Sequence, residues 1–535
     1  MAAIVQTLLF MLGLLAAVAV AANRLKIEPS ILLVVAGIGI AFVPGLPKIE
    51  LAPEVVLLVI LPPLIYSAGV AMSWREFKFN LRPIALLAFG CVLFTTCAIA
   101  AAAHYFLKFD WSVGFLLGAI ISPTDIVAPL AIARRLGLPH RLVVILEGEG
   151  LANDATALVL YKFAVVAVST GTFSLEKASS TFVLIVIGET IYGLLVGWLS
   201  LRLRQWAREP RVEITLSLMT PYLAFWVPAH LGGSGVLATV ACGLYVSWNG
   251  PLLIPSATRL QGIFFWDLLV YLIEGLVFLV TGLEARALIE QSHAFTIREL
   301  VIATAWTTLI AIVARYIWIF PATYIPRWAS PSLARRDPSP AWQVPFFLAF
   351  TGMRGVDSLA VALAIPYTIL SGAPFPHRDL ILFVTFGVII ITLIGQGAML
   401  PMVVRWLGLN KLAHQERERE IEAELEARVS ALEEVEKRFD KLIGERELPS
   451  EVIELLRTRN QSRSQILPDN LQDSLEQVRL SASIKKELIV AERDFIYQLL
   501  RDGKISDEAR RRIEYELDLE EASVANRSRT DGGWI

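Results

Sequence analysis

Apolar residues fill most of the first 410 positions in runs of about twenty, the length that a helix needs to cross the hydrocarbon core of a bilayer. Polar and charged residues collect in the short segments between these runs. The pattern predicts an all-α membrane protein with thirteen transmembrane helices. The predicted spans are approximately residues 3–22, 30–45, 53–72, 82–104, 112–130, 142–169, 179–201, 213–229, 233–249, 262–283, 299–320, 344–365 and 379–404.

Basic residues between the spans predict how the chain lies in the membrane. With the N-terminus outside, eighteen Lys and Arg residues fall in inner loops and six in outer loops, which matches the excess of positive charge on cytoplasmic loops. Arg24 and Lys26 follow the first span and no basic residue precedes it, the reverse of the charge order in a signal peptide. We therefore expect a retained first helix, a multi-pass protein of the plasma (inner) membrane and a cytoplasmic C-terminal tail.

Charge divides the chain into two predicted domains. Residues 411–535 contain 22 Lys+Arg and 29 Asp+Glu, which leaves 26 of the 48 basic and 21 of the 50 acidic residues for residues 1–410. The body therefore has a net charge of +5 and the tail one of −7. We expect a transmembrane domain at 1–410 and a charged, helical cytoplasmic tail at 411–535. Neither part is strongly basic, which argues against a nucleic-acid partner.

The tail has apolar positions at helical spacing over residues 415–443, with charged residues between them. These positions are Ile421, Leu425, Val429, Leu432, Val435, Phe439 and Leu442. The pattern suits a dimeric coiled coil of at most four heptads or a helix packed on the rest of the tail. A less ordered stretch is expected around 458–475, then helices at about 483–501 and 506–522 and a disordered end. We expect this tail to regulate the body or to support a dimer.

Motifs of known enzyme classes are absent from the sequence. The chain has no HExxH, GxSxG or Walker A sequence. Its three cysteines, Cys91, Cys97 and Cys242, lie in apolar runs without the spacing of a disulfide scaffold or a zinc site. We therefore expect no enzymatic activity and no cofactor. A membrane sensor that signals through its tail is the alternative of a different class.

Charged residues inside the predicted spans include more acids than bases. The acids are Asp125, Glu147, Glu149, Asp154, Glu189, Asp267, Glu274 and Asp357, and the bases are Lys162, Arg315 and Arg354. A charge at mid-bilayer costs about 2.5–3.5 kcal/mol, so such residues are usually paired or functional. An acidic surplus suits a path for cations. For residues near span ends, and for Arg315, the alternative is a side chain that reaches the membrane interface. Lys162 is either an ion-pair partner of Asp154 or such a side chain. Glu189 has no assigned partner.

Polar residues cluster at mid-depth in spans five and six. Span five contains Ser122-Pro123-Thr124-Asp125, where the proline removes a backbone donor and interrupts the helix. Such a break offers carbonyls and helix ends to an ion. In span six Glu149 and Asn153 are four residues apart on one face, and Asp154 lies next to them.

A third cluster lies in span twelve, where Arg354 stands between glycines in the segment 351–357. A buried arginine is tolerated there only if a carboxylate such as Glu149 or Asp125 pairs with it. The interrupted spans five and twelve are seven spans apart, which predicts two inverted six-helix repeats joined by span seven, with crossed interrupted helices. That is the layout of an alternating-access transporter. The alternative for each cluster is a helix-packing motif with incidental polar contacts.

These motifs together resemble the cation:proton antiporter superfamily, in particular the sodium/proton exchanger branch that carries an Asn-Asp pair. The matching pieces are Leu61-Pro62-Pro63, Ser122 to Asp125, Gly148 to Asp154 and Gly352 to Gly355. The resemblance covers residues 1–410 and implies a thirteen-helix protomer, a homodimer and a mobile core. It implies Asp154 as the carboxylate that exchanges a cation for a proton.

The resemblance also implies roles for the neighbouring residues. Thr124, Glu149 and Asn153 would line or support the site, with Na⁺ or another monovalent cation held at Asp154, Thr124 and Glu149. Asp125 would brace the crossed helices and Arg354 would pair with Glu149. The chain departs from the family pattern at Gly150, where many members have serine, at Ala229-His230, where an acid is frequent, and at Glu274, where asparagine is common.

The function expected from these residues is exchange of Na⁺, and of Li⁺ as a further candidate, for protons, in support of pH and sodium homeostasis. A proton and a cation compete for the same oxygens of Asp154, so the two fluxes are coupled. Asn153 is neutral, so one carboxylate exchanges and we expect electroneutral 1:1 transport. K⁺/H⁺ exchange is the nearest alternative.

Overall fold

The computed structural model describes residues 2–25, 27–44, 52–172, 174–291, 295–445, 449–465, 471–502 and 504–528. Their regular structure is helical, with a single isolated β-bridge between Thr368 and Pro374. The chain forms two compact units, Met1–Asn410 and Lys411–Ile535. The prediction of an all-α membrane protein is therefore confirmed.

The first unit contains seventeen of the helices in the described part of the chain. They are α1 (Ala2–Leu25), α2 (Pro29–Ala41), α3 (Pro53–Ala71), α4 (Trp74–Phe79), α5 (Leu81–Leu107), α6 (Trp111–Ile121), α7 (Val127–Arg135), α8 (His140–Thr170), α9 (Leu175–Ala207), α10 (Pro210–His230), α11 (Val236–Leu253), α12 (Ser256–Gln291), α13 (Ile297–Ala329), α14 (Pro331–Arg336), α15 (Gln343–Phe350), α16 (Val356–Leu363) and α17 (Arg378–Leu407).

Eight of these helices in the described part are long and apolar enough to cross a membrane, namely α3, α5, α8, α9, α11, α12, α13 and α17. Three shorter apolar stretches lie in α1, α2 and α6. The predicted spans five and twelve are each divided in two, into α6 and α7 and into α15 and α16. The count of thirteen spans and the orientation of the termini stay predictions.

Three of the long helices contain a π-helical turn. In α3 this turn, Val56–Ile60, comes directly before Leu61-Pro62-Pro63. Two prolines in succession lack the N–H groups that continue the α-helical ladder, so the backbone widens there. The other two turns are Leu86–Cys91 in α5 and Ile391–Gln396 in α17.

One group of helices packs through small residues, and we call it the scaffold: α1–α3 and α9–α12. A Cβ on Gly37 of α2 would lie 2.9 Å from the Cα of Gly282 in α12, and one on Gly69 of α3 would lie 3.3 Å from the Cα of Gly243 in α11. Only glycine allows backbones to approach this closely. Side-chain hydrogen bonds reinforce the scaffold, because Trp226 of α10 donates to the carbonyl of Leu58 over 2.8 Å.

The remaining membrane helices, α5–α8, α13 and α15–α17, form the group that we call the core. A Cβ on Gly118 of α6 would lie 2.9 Å from the Cα of Thr96 in α5. Trp318 of α13 donates to the carbonyl of Leu86 in α5 over 2.9 Å. The two interrupted helices lie within this group.

A cluster of charges lies at the ends of the predicted spans or beyond them, where the ends of three core helices meet. Asp337, after α14, binds Arg82 of α5 at 2.9 Å, Arg141 of α8 at 2.8 Å and Arg327 of α13 at 2.7 Å. Burial alone would raise the pKa of Asp337, but the hydrogen bond and charge of Arg141 and the charges of Arg327 and Arg82 outweigh it and lower that pKa. One carboxylate thus joins three helices.

The second unit contains α18 (Leu409–Glu445), α19 (Ser450–Gln465), α20 (Leu471–Arg501) and α21 (Asp507–Ser528) in its described part, with α18 beginning two residues before the unit does. The predicted helix at 415–443 lies in α18, although the side chains of Ile421 and Leu425 are outside the described residues. The expectation of a less ordered stretch at 458–475 is wrong for residues 458–465 and 471–475, which are helical, and residues 466–470 are outside the described part. Residues 529–535, in the end expected to be disordered, are outside the described part.

A hairpin of α20 and α21 has its own small core of Ile489, Ile496 and Leu517. Arg493 of α20 crosses to Asp518 at 2.8 Å and to Glu521 at 2.9 Å. The choice between a coiled coil and a packed helix for α18 stays open, and so does the regulatory role.

Candidate functional site

The non-helical segments 122–126 and 351–355 cross inside the core. The amide of Asp125 donates to the carbonyl of Met353 over 2.8 Å, and Asp125 Oδ1 accepts from the amide of Val127 over 2.8 Å. A Cβ on Gly355 would overlap the Asp125 carboxylate, so the close approach requires glycine. Asp125 therefore joins the two segments and satisfies the first turn of α7.

The first interrupted segment is held to α8 by an amide. Asn153 Nδ2 donates to the carbonyl of Thr124 over 2.8 Å and contacts Thr124 Oγ1 at 3.2 Å. Asn153 is fully buried, yet its Oδ1 has no hydrogen-bond partner among the described residues. A buried amide oxygen without a donor is a costly arrangement unless a ligand or water uses it.

The predicted pair of Arg354 and Glu149 is wrong, because Arg315 takes the place of Arg354. Arg315 Nη1 and Nη2 of α13 lie 2.5 and 2.9 Å from Glu149 Oε1 and Oε2. Glu149 Oε1 also accepts from Thr124 Oγ1 over 3.0 Å. Arg315 and Glu149 are 2% and 1% exposed, so the alternative of an arginine that reaches the interface is wrong too. The fork of a guanidinium matches the two oxygens of a carboxylate.

Arg354 instead uses its guanidinium on backbone carbonyls. Its Nε donates to the carbonyl of Ile121 over 3.0 Å and its Nη1 donates to that of Gly352. Its own amide donates to Thr392 Oγ1 over 3.1 Å. Carbonyls freed by both helix breaks therefore find a donor in one side chain, and no carboxylate in the described part of the chain forms an ion pair with Arg354.

Asp154 is half-buried beside Asn153 and makes no hydrogen bond or ion pair to the residues that the structure describes. Asp357 and Asp125 are near enough to interact with it electrostatically. Its carboxylate therefore differs from that of Glu149, both of whose oxygens are engaged. The arrangement leaves the carboxylate of Asp154 open to a proton or a hard cation.

Gly150 faces an occupied space. A Cβ at this position would lie 2.6 Å from the side chain of Ile126. In this chain an isoleucine methyl therefore fills the room that a serine side chain would need.

Sequence reasoning missed two residues near the site. For Arg315 the sequence leaves an interface position open as an alternative, although its place within a span is the available signal, since a mid-span arginine needs a buried acid. Asp357 was recognised as an intramembrane acid, but no role was assigned to it. The role of Glu149 as a cation ligand stays a prediction.

Comparison with known proteins decides the family. The model of the transmembrane domain of sodium/hydrogen exchangers matches residues 10–406. The chain belongs to the sodium/hydrogen exchanger family. The resemblance found in the sequence is thereby confirmed, and the chain is a cation/proton antiporter and not an enzyme.

Relatives of this exchanger match over most of its length. An uncharacterized Na⁺/H⁺ exchanger of Mycobacterium bovis is 32% identical over 97% of this chain and 96% of its own. The Na⁺/H⁺ antiporter ApNhaP of Aphanothece halophytica is 33% identical over 77% of this chain and 75% of its own. A sodium, potassium, lithium and rubidium/H⁺ antiporter of Bacillus pumilus is 33% identical over 69% of this chain and 57% of its own.

A solved structure shares the fold of this exchanger. The sodium proton antiporter MjNhaP1 of Methanocaldococcus jannaschii, solved at pH 8, superposes with a TM-score of 0.61 at 20% identity. The match covers 75% of this chain and 98% of that one. The antiporter fold of the membrane unit is therefore shown.

Proposed function

We propose that this exchanger carries Na⁺ in exchange for protons by alternating access, with Asp154 as the exchanging carboxylate. The observation that supports this most directly is the contrast between satisfied and unsatisfied oxygens at the crossing. Glu149 and Asp125 accept hydrogen bonds from protein donors. In contrast, the buried Asn153 Oδ1 accepts none from the described residues, and the half-buried Asp154 next to it in the chain forms no ion pair with them. Hard cations take oxygen ligands of this kind.

Coupling follows from competition at one site. A proton on Asp154 neutralises the oxygens that a cation would need, and a bound cation excludes the proton. Asn153 is neutral and Glu149 is already neutralised by Arg315, so we assign the change of charge to Asp154. One proton is therefore exchanged for one monovalent cation, and transport is electroneutral.

Ion selectivity is the finer part of the proposal. We place Na⁺ and Li⁺ first, and propose Thr124 and Asn153 as further oxygen donors beside Asp154. K⁺ is a second candidate, because Gly150 supplies no hydroxyl and the methyls of Ile126 fill the space beside it. The printed name of the Bacillus pumilus relative, which includes both sodium and potassium, supports testing both ions.

The biological setting follows from the same proposal. We infer a homodimer in the plasma membrane that serves pH and sodium homeostasis, with its N-terminus outside and α18–α21 in the cytoplasm as a regulatory module. The excess of basic residues in one set of loops supports this orientation.

The test uses purified protein in proteoliposomes with a trapped pH-sensitive dye. Na⁺, Li⁺ and K⁺ are added in turn, and each transported ion should cause proton movement that changes the fluorescence of the dye. Asp154→Asn should abolish this change. Asp110→Asn is the matched control, because Asp110 precedes α6 and makes no capping hydrogen bond. Full activity of Asp154→Asn would exclude it as the exchanging group. If the transport rate depended on membrane voltage, as it does for a carrier that moves net charge, 1:1 exchange would be contradicted. If none of the ions moved protons, the result would favour a membrane sensor.

A further inference from the structure

Two charged residues inside the predicted spans take no part in the exchange site, and the structure brings them to one loop. Lys162 lies on α8 two turns after Asp154, about 12 Å further along the helix axis. Its Nζ donates to the carbonyl of Gly233 over 2.5 Å and to that of Gly232 over 3.4 Å. These carbonyls belong to residues 231–235, which connect α10 to α11, and we call this segment the α10–α11 loop.

Glu189 of α9 holds the same loop from the other side. Only 3% of Glu189 is exposed, and its Oε1 accepts from the amides of Ser234 and Gly235 over 2.5 and 3.0 Å. Its Oε2 accepts from Ser234 Oγ over 2.9 Å. These amides lie at the N-terminus of α11, where a negative charge is stabilised by the helix dipole. Glu189 therefore fixes the loop to the scaffold.

The hydrogen bonds of Lys162 join the core to the scaffold, unlike those of Trp226, Arg315 and Arg354. Those of Trp226 stay within the scaffold, and those of Arg315 and Arg354 stay within the core. Alternating access requires the core to move against the scaffold. A tie across that boundary has to break in each cycle.

Charge explains why a lysine and a glutamate make this tie. An ammonium in the membrane is costly unless an acid compensates it, and Lys162 interacts electrostatically with Glu189. Held at one loop, the two charges offset each other. Separated, each would be left in an apolar environment without its counterion, so the contact favours the state in which the two are together.

We propose that Lys162 is a positioning residue which, together with Glu189, holds the core against the scaffold in the conformation of this structure. We call the contact of these two residues with the α10–α11 loop the clasp. Breaking the clasp limits the rate of the exchange cycle. The inference rests on the proposed alternating-access function. Since the clasp lies about 12 Å from Asp154 along α8, it acts on the movement of the core and not on the choice of ion.

The first measurement is Na⁺/H⁺ exchange by Lys162→Met, Lys162→Arg and wild type in proteoliposomes. Methionine is an unbranched side chain one atom shorter than lysine and carries no charge, so the maximal rate should rise at least threefold, while the ratio of Na⁺ to K⁺ rates should stay within twofold. Lys162→Arg should restore the wild-type rate to within twofold. The control is Thr190→Val, because Thr190 is exposed on α9 and, among the described residues, its hydroxyl donates to its own helix at the carbonyl of Val186.

A second measurement does not depend on transport. Hydrogen exchange of the amides of Ser234 and Gly235, followed by mass spectrometry, should be at least fivefold faster in Lys162→Met than in wild type or Thr190→Val. Ser234→Ala, which weakens the grip of Glu189 without removing a charge, should accelerate Gly235 exchange and transport in the same direction. This variant tests the clasp should Lys162→Met fail to fold.

Several results would overturn the clasp. They are a maximal rate in Lys162→Met equal to or below that of wild type, an arginine variant that behaves like the methionine variant, and unchanged amide exchange in the loop. An absence of ion-coupled proton movement in the wild type would refute the proposed function instead, and amide exchange would still show whether Lys162 holds the loop.

Discussion

The two helix breaks of the core solve the same problem in different ways. Both free backbone carbonyls inside the membrane unit, where each has to find a donor. Within the first break, a neutral amide is the donor, since Asn153 binds the carbonyl of Thr124. Within the second break, the guanidinium of Arg354 binds the carbonyl of Gly352, and it also reaches the carbonyl of Ile121, where α6 ends and the first break begins. A permanent positive charge thus lies in the second break and not in the first.

Under the proposed function, this difference gives a reason for exchange to take place beside the first break. Carbonyls that bind a guanidinium have no need of a cation, and Arg354 cannot be deprotonated at physiological pH. Beside the first break, Asp154 and the carbonyl oxygen of Asn153 have no donor among the described residues. The fixed cation therefore lies at the second break, and we propose that the exchangeable cation or proton binds beside the first. Substitutions that disturb only one side of this arrangement test it.

The largest effect is expected from Arg315→Met, which leaves the buried carboxylate of Glu149 without its cation. Removing one partner of a buried pair costs about 3–5 kcal/mol. We expect the membrane yield and the melting temperature of the purified protein to fall sharply. Arg315→Met combined with Glu149→Gln should recover much of both, because glutamine can still accept from Thr124 Oγ1. If the double variant were no better than the single one, the pair would not be the reason for the loss.

The identity of this pair also shows where sequence reasoning ends. The break at Pro123, the glycines around Arg354 and the Asn153-Asp154 pair were visible because spacing along one chain defines them. The partner of Glu149 could not be predicted from the sequence, because the pairing depends on how α13 is rotated towards α8. The same holds for Lys162, whose partners are backbone carbonyls of a distant loop. No side-chain pattern predicts a contact with a carbonyl.

An intermediate effect is expected where the two breaks touch. Gly355→Ala adds a methyl that overlaps the Asp125 carboxylate, and overpacking of this kind costs about 1–3 kcal/mol. Displacement of Asp125 should lengthen its backbone bond to Met353 and reduce exchange about tenfold or more, since 1.4 kcal/mol corresponds to a factor of ten. Initial rates in proteoliposomes measure this. Gly395→Ala is the control, because a Cβ there meets no atom within 4 Å; equal losses in both variants would argue against a specific effect of the crossing.

The smallest effect is expected at Asp337, which ties the segment before the second break to α5 and α8 of the first repeat. Asp337→Asn should lower the free energy of unfolding by about 1–2 kcal/mol, between the values for surface and buried charged contacts. The pKa of Asp337 is lowered in the folded state, so its stabilisation is present above its ordinary pKa of about 3.9 and is lost as pH falls through the lower, folded value.

Melting temperatures measured between pH 7 and the lowest pH at which the protein stays soluble would check this sign. The difference between wild type and Asp337→Asn should be constant down to about pH 4 and shrink below it. Asp379→Asn provides a matched control, since Asp379 lies in the first turn of α17, and the three arginines form their ion pairs with Asp337 instead. A difference that grew on acidification would mean that the arginines do not hold Asp337 ionised. In that case the two repeats would have to be joined at this end by other contacts.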